Sequence, residues 1–327
     1  MGHGELRNLG PLHTGSERVA YNTPKVLSVK HPRYTTRMSK PSLPTLPTLL
    51  ILGSALFAGT ASAHHTHRAA SSEPQLRSSA VLVLDETSSS VLLSRHAEVA
   101  TPIASITKLM TALVVLDGGQ SLEEPLEVTQ EDRERGRGAH SRLAAGTSLS
   151  RGELMHLALM SSENRAAHTL ARNYPGGVPA FVQAMNSKAG ALGMHSAHFV
   201  DPSGLSSDNV ASPTDLARLV DAAAASPVVR HYSTDRVQSV KVGRRMLEYR
   251  NTDSLVTNPT WNIIVQKTGY ISEAGRCLVM KAMIKGREVV MVLLDSYGKY
   301  TRTADARRIR KWLEARMGEA VATDKPA

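Results

Sequence analysis

From Ser79 the chain switches repeatedly between strand-like and helix-like spacing of its apolar residues. AVLVLDE and SVLLSRH are apolar, β-branched runs separated by the turn-forming Thr87-Ser88-Ser89, which predicts a hairpin. In ATPIASITKLMTALVVLD, Ala100 to Asp117, Leu109, Leu113 and Leu116 recur at the i, i+4, i+7 spacing of a buried helical stripe, and Gly118-Gly119 closes it. Ser150-Arg151-Gly152-Glu153 has the form of a capping box, and the ELMHLALM after it is apolar nearly all round, as in a central buried helix. ENRAAHTLARNY, the segment PAFVQAMNSKAGALG ending at Gly193, and SPTDLARLVDAAAA with Pro213 at its first turn also read as helices. NIIVQKT, GRCLVMKAMI and REVVMVLLD read as strands, the last two joined at Lys285-Gly286, and a helix through TADARRIRKWLEARM closes the pattern. Strands at both ends with helices between them predict one α/β domain whose terminal strands meet in a single antiparallel sheet.

Upstream the pattern differs. Leu49 to Ala63, LLILGSALFAGTASA, is too short to span a bilayer and ends in the small-x-small Ala61-Ser62-Ala63 of a signal-peptidase site. Met38, with Arg37 and Lys40 beside it, would supply a start and a short basic n-region. The alternative is a genuine unstructured leader. The expected organisation is therefore an upstream extension or mis-assigned start at 1–37, a signal peptide at 38–63, a polar lead-in at 64–78, the folded domain at 79–316 and a tail at 317–327. His64, His65 and His67 in the lead-in read as a solvated tract rather than a metal site. Nothing after Arg316 is long or apolar enough to anchor a membrane, so no transmembrane segment is expected once the signal is cleaved and the destination is the periplasm.

Composition narrows the classes. The 327 residues are 41% hydrophobic, enough for a globular core. The formal charge of +10 falls by half if the leader is lost, because residues 1–63 carry seven Lys or Arg and two Asp or Glu. The remaining excess is interspersed, which suits a polyanionic cell wall and gives no nucleic-acid footprint. Cys277 is the sole cysteine and sits in the strand pattern RCLVM, the setting of a buried structural thiol.

Candidate chemistry begins with Ser105 and Lys108, three apart at a helix start and so able to bring their heads together. Alone the pair is weak: an N-cap serine beside a solvated lysine has the same spelling, and Ser296 and Lys299 repeat it. Its company is stronger. Ser162-Glu163-Asn164 follows the buried helix, and Lys267-Thr268-Gly269 stands at the end of a strand, in that order. Ser207-Asp208-Asn209 also spells the middle triplet but lies in a Pro/Gly/Ser-rich loop too far from Ser105, and the second Ser-x-x-Lys fails because it comes after Lys267.

SxxK, SxN and KTG in this order and spacing resemble the penicillin-recognising serine enzymes. LALMSSENRAA, NYPGG, DPSGLS, NTDSLV, WNIIVQKTG, AGRCLVM and YGKYTRTADARR look like the small D-alanyl-D-alanine endopeptidases among the low-molecular-weight penicillin-binding proteins, over about Ser79 to Trp312. The resemblance implies their fold, an antiparallel sheet flanked by helices with an inserted helical subdomain. It also implies Ser105 as nucleophile and Lys108 as its base. Lys108 can act so only when neutral, which burial and a second cation such as Lys267 would favour. Ser162 would pass the proton to the leaving amine, and Asn164 would hold the substrate amide and orient Lys108. Lys267 and Thr268 would contact the peptide's carboxylate or the site's proton network, Gly269 would let the strand approach, and the Ser105 and Tyr270 amides would form the oxyanion hole.

Between Asn164 and Lys267 stands a single glutamate, Glu248, outside the pattern used by β-lactamases that deacylate through one. Penicillin should therefore acylate Ser105 and leave slowly. His195 and His198 form an HxxH without the glutamate of a zinc peptidase, and His156 and His168 read as helix residues, so no metal and no cofactor is expected. The resulting expectation is a periplasmic serine DD-endopeptidase acting on D-Ala–meso-diaminopimelate cross-bridges of peptidoglycan, with β-lactams as covalent inhibitors. A DD-carboxypeptidase, or a wall-binding or β-lactam-binding module without turnover, are the alternatives.

Overall fold

The computed structural model describes Met1, residues 73–133 and residues 141–323, with side chains as far as Met317. The expected signal segment, Met38, the cleavage site, and His64, His65 and His67 lie outside the described residues.

The chain opens with β1 (Ser78–Asp85), β2 (Ser90–Arg95) and the short β3 (Thr101–Pro102). A 3-10 turn, Ala104–Ile106, leads into α1 (Thr107–Asp117). The helical part follows: β4 (Pro125–Glu127), β5 (Ser148–Ser150), α2 (Arg151–Met160), α3 (Asn164–Arg172), α4 (Gly177–Ala191), β6 (Val210–Ala211), α5 (Pro213–Ala225) and α6 (Pro227–Thr234). A hairpin of β7 (Val237–Val242) and β8 (Arg245–Arg250) precedes three long strands, β9 (Asn262–Ile271), β10 (Gly275–Ile284) and β11 (Arg287–Ser296), and α7 (Thr301–Thr323) ends the description.

The terminal strands do meet in one sheet, in the order β2-β1-β11-β10-β9, with every neighbour antiparallel. Both faces are covered. Ala80, Leu82, Val290 and Val292 point into the core shared with α1, α2 and α5, whereas Val81, Val83, Met291 and Leu293 meet Ala306, Ile309, Trp312 and Leu313 of α7. Burial on two faces explains why these strands read as continuous apolar runs rather than as clean alternation. Lys285 and Gly286 both have positive φ, 51° and 81°, as the two-residue turn between β10 and β11 requires.

Two helices are buried nearly all round. In α1 every residue from Thr107 to Val115 is buried, and α2 is closed off from solvent except at Glu153. The α2 start is the expected capping box: Ser150 Oγ accepts from the Glu153 N–H at 3.1 Å and Glu153 Oε2 from the Ser150 N–H at 2.8 Å.

Several boundaries depart from the sequence expectation. Ser105 lies on the 3-10 turn, two residues before α1. The Lys267-Thr268-Gly269 triplet sits inside β9, which continues to Ile271, so it does not end the strand. The last helix begins at Thr301 and runs to Thr323, through most of the residues assigned to a tail. The sequence reading had no counterpart for α6 or for the β7–β8 hairpin. Among the described residues no helix is long and apolar enough to cross a membrane.

Candidate active site

β9 is an edge strand: β10 pairs with one side of it, and the turn that carries Ser105 packs beside it. Two glycines permit that packing. A Cβ on Gly269 would lie 2.9 Å from the Ile103 carbonyl and 3.1 Å from the Ser105 amide nitrogen. A Cβ on Gly204 would lie 1.9 Å from the Ala104 carbonyl, and Gly204 itself has φ +80°. The lack of a side chain at 269 therefore serves first to seat the serine turn against the strand. Ala104 has φ +48°, a left-handed conformation that a non-glycine residue holds only when its surroundings enforce it.

Ser105, Ser162, Asn164, Thr268, Gly269 and Tyr270 line one cleft of about 230 Å³, together with Leu205, Thr252 and Arg302. Lys108 and Lys267, both fully buried, hydrogen-bond to lining residues: Lys108 to Ser105 and Asn164, Lys267 to Ser162. All of the site residues named from sequence are thus brought together.

Lys108 Nζ donates to Ser105 Oγ at 3.0 Å, to Asn164 Oδ1 at 2.7 Å and to the Ser203 carbonyl at 2.6 Å. The last two are pure acceptors. In the neutral amine the two hydrogens go to Asn164 and Ser203, which leaves the lone pair aimed at the Ser105 hydroxyl. The geometry of the Ser105–Lys108 pair is therefore set by a side chain from α3 and a carbonyl from the loop before β6.

Ser162 and Asn164 come from the α2–α3 junction. Ser161 ends α2, Ser162 turns the chain with φ +63°, and Glu163 caps α3 by accepting the Arg165 N–H. Lys267 Nζ donates to Ser162 Oγ at 3.0 Å and to the Thr268 carbonyl at 2.9 Å. Burial pushes the Lys267 ammonium well below the ordinary lysine range, and the charges of Lys108 and Arg302 add to that push. Thr268 Oγ1 lies 2.7 Å from Thr252 Oγ1, and Arg302 at the start of α7 donates to the Gly269 carbonyl at 3.0 Å.

Three of these contributors escaped sequence reading: the Ser203 carbonyl, Thr252 and Arg302. A backbone carbonyl carries no residue signal. Thr252 and Arg302 fall in the segments NTDSLV and YGKYTRTADARR, which resembled the family without marking either residue as part of the cleft.

The residues set aside have structural explanations. Asn209 of the rejected triplet is buried: its Oδ1 accepts from Val200, its Nδ2 donates to Thr107 Oγ1 at 3.1 Å, and its carbonyl accepts from Ile103 at 3.0 Å, so it pins the start of α1. Ser296 Oγ bonds Ser78 Oγ at 2.5 Å, far from any role with Lys299. Glu248 pairs with Arg250 at 2.6 Å on the β7–β8 hairpin and is not part of the cleft lining. His156 packs against Tyr232, ring centroids 4.4 Å apart, with Asp235 at 3.1 Å. Burial of Cys277 pushes its thiol up to about 11, the property of an inert core residue.

A serine and lysine paired in a cleft with a second serine–lysine pair define a serine acyl-transfer site. A family profile described as D-alanyl-D-alanine carboxypeptidase, peptidase family S11, matches residues 67–298, and the chain belongs to that family. It is 47% identical to the D-alanyl-D-alanine endopeptidase of Pseudomonas aeruginosa, over 76% of this chain and 81% of that protein. It is 42% identical to the D-alanyl-D-alanine endopeptidase of Escherichia coli, over 79% and 84%. In three dimensions it is similar to the D-alanyl-D-alanine carboxypeptidase of Mycobacterium tuberculosis, with a TM-score of 0.69 and 28% identity over 76% of this chain and 95% of that one.

Proposed function

We propose that the chain is exported to the periplasm and there acts as a serine DD-endopeptidase, opening D-Ala–meso-diaminopimelate cross-bridges of peptidoglycan through an acyl-enzyme on Ser105. The observation that carries this is the Lys108 amine, 3.0 Å from Ser105 Oγ and held by two acceptors on its other sides. Relatives named endopeptidases, at 47% and 42% identity, support that activity over the carboxypeptidase of the profile's description.

The substrate strand lies along the free edge of β9, with its D-Ala carbonyl above Ser105 and oxygen toward the Ser105 and Tyr270 amides. Lys108 takes the hydroxyl proton as Oγ attacks. The tetrahedral adduct expels the amine, which receives a proton through Ser162, whose own hydroxyl is held by Lys267. That proton is the one Lys108 took, so Lys108 is neutral again when water adds to the ester; Lys108 takes a proton from the water and returns it to Ser105 Oγ as the adduct collapses and the D-Ala carboxylate leaves. Positioned acid–base groups contribute about 10²–10⁴ in rate and one oxyanion donor about 10²–10³, so the whole set is needed.

Incubation with cross-linked muropeptide dimers tests the reading. Release of monomers supports it, D-alanine as the sole product means a carboxypeptidase, and stoichiometric penicillin labelling with no product means a binding module. Export is supported by the apolar run ending at Ala61-Ser62-Ala63. Cell fractionation and N-terminal sequencing of the mature protein test it, and a mature chain that retains Lys40 would rule it out.

A further inference from the structure

We infer that Arg276, laid across the Tyr270 ring at the mouth of the cleft, is a specificity residue for the leaving peptide: it receives a carboxylate that the peptide carries beyond the one held beside Thr268 and Arg302. This rests on the endopeptidase reading and specifies what that site selects.

Tyr270 stands two residues beyond Thr268 on β9. Side chains so spaced share a face of the strand, about 7 Å apart. Tyr270 lines the cleft and is nevertheless 55% exposed, an unusual setting for a tyrosine whose role is packing. Its ring is covered by Arg276, its cross-strand partner in the β9–β10 register, whose guanidinium carbon lies 4.4 Å from the ring centroid. A guanidinium stacked in this way has one face occupied and its N–H edge free to grip a carboxylate in a fixed plane.

Arg302 stands nearby, in the cleft wall. Burial lowers its affinity for a proton first, and the charge of Arg276 lowers it further, with Asp253 acting in the opposite direction. Among the described residues no carboxylate lies within salt-bridge distance of either arginine. Two neighbouring cations at the end of an acyl-transfer cleft favour a ligand with negative charge on that side.

The leaving groups of the two competing reactions differ there. Free D-alanine has a single carboxylate, which the endopeptidase reading seats within the cleft that Thr268 and Arg302 line. An amine released from a cross-bridge carries the same carboxylate and continues into a stem peptide with a carboxyl terminus of its own, and only this longer group extends to the Arg276 shelf. The residue therefore favours cross-bridge opening over trimming of a terminal D-alanine.

The test compares wild type, Arg276→Gln and Arg276→Lys on three substrates: a cross-linked muropeptide dimer, the same dimer with the acceptor's terminal carboxylate amidated, and an uncross-linked pentapeptide. Thermal unfolding and stoichiometric penicillin labelling report whether each variant is folded. Arg276→Gln is expected to lower kcat/KM for the free-carboxylate dimer about tenfold more than for the pentapeptide, chiefly through KM. Arg276→Lys should fall between, because an ammonium keeps the charge and loses the planar fork. Amidation should cost the wild type the same factor and cost Arg276→Gln nothing further. An equal fall on dimer and pentapeptide, or a wild type indifferent to amidation, overturns the inference while the endopeptidase reading stands. A wild type that frees D-alanine and leaves the dimer whole removes that reading, and this inference with it.

Discussion

At the scale of single residues, the two lysines of the cleft have distinct tasks set by their neighbours. Lys108 is held by Asn164 and Ser203 so that its third position meets Ser105, and Lys267 is held by the Thr268 carbonyl so that it meets Ser162. Groups that act in one proton path do not contribute independently. Ser105→Ala and Lys108→Ala should each lower kcat/KM on a peptide substrate by about 10⁴ or more, and the double variant should be no worse than either single one. Steady-state rates of the three variants check this, and an additive loss would mean that the pair does not act as a unit. The residue identities were legible because Ser-x-x-Lys, Ser-x-Asn and Lys-Thr-Gly are spelled out in the chain. The carbonyl of Ser203 was not, because its function depends on where the loop goes and not on the side chain at that position.

At the scale of elements, the helix α5 meets the sheet through a charged cluster away from the cleft. Lys281 of β10 forms an ion pair with Glu86, another with Glu288 of β11 at 2.9 Å, and faces Asp221 of α5 at 3.5 Å. One ammonium does not neutralise three carboxylates. Burial first, and then the hydrogen bond and charge of Glu86, push the Asp221 carboxyl from 3.8 up to about 7. Between those two values the folded protein keeps a proton that the unfolded chain has lost, so its stability falls as pH rises through that window. Asp221→Asn should flatten the dependence. The expected effect is about 1 kcal/mol between pH 5 and pH 8 in urea unfolding, well below the nominal shift because an exposed carboxylate is screened. A wild type and variant with parallel pH profiles would contradict it.

Elements also differ in how much of them could be read from sequence. The central strands and α1, α2 and α5 announce themselves through apolar runs and caps. The β7–β8 hairpin does not: VQSVKV and RMLEYR bury only Val240 and Tyr249, and a pair of largely solvated strands carries little hydrophobic pattern. The last helix runs past the expected tail boundary to Thr323, with no proline after Arg316 and before Thr323 to stop it.

At the scale of the whole molecule, Glu248 is paired with Arg250 on the β7–β8 hairpin, and among the described residues no carboxylate side chain lines the cleft. Penicillin should therefore form a stoichiometric adduct on Ser105 that outlasts many peptide turnovers. Mass spectrometry of the intact protein over time checks this, with Ser105→Ala taking up no label; rapid loss of the adduct from wild type would point to a deacylating base elsewhere. The sequence alone determined the fold class, the single antiparallel sheet built from both ends of the chain and the set of side chains at the centre, because hydrophobic period and short motifs are local properties of the chain. Only the tertiary structure decided how those side chains cooperate: that the edge of β9 lies against the Ser105 turn, that a loop carbonyl completes the Lys108 site, and that Thr252, Arg276 and Arg302 surround the cleft. Those contacts join residues far apart in sequence, and what fixes them is the packing of α1, α2 and the sheet into one core, which no local pattern encodes.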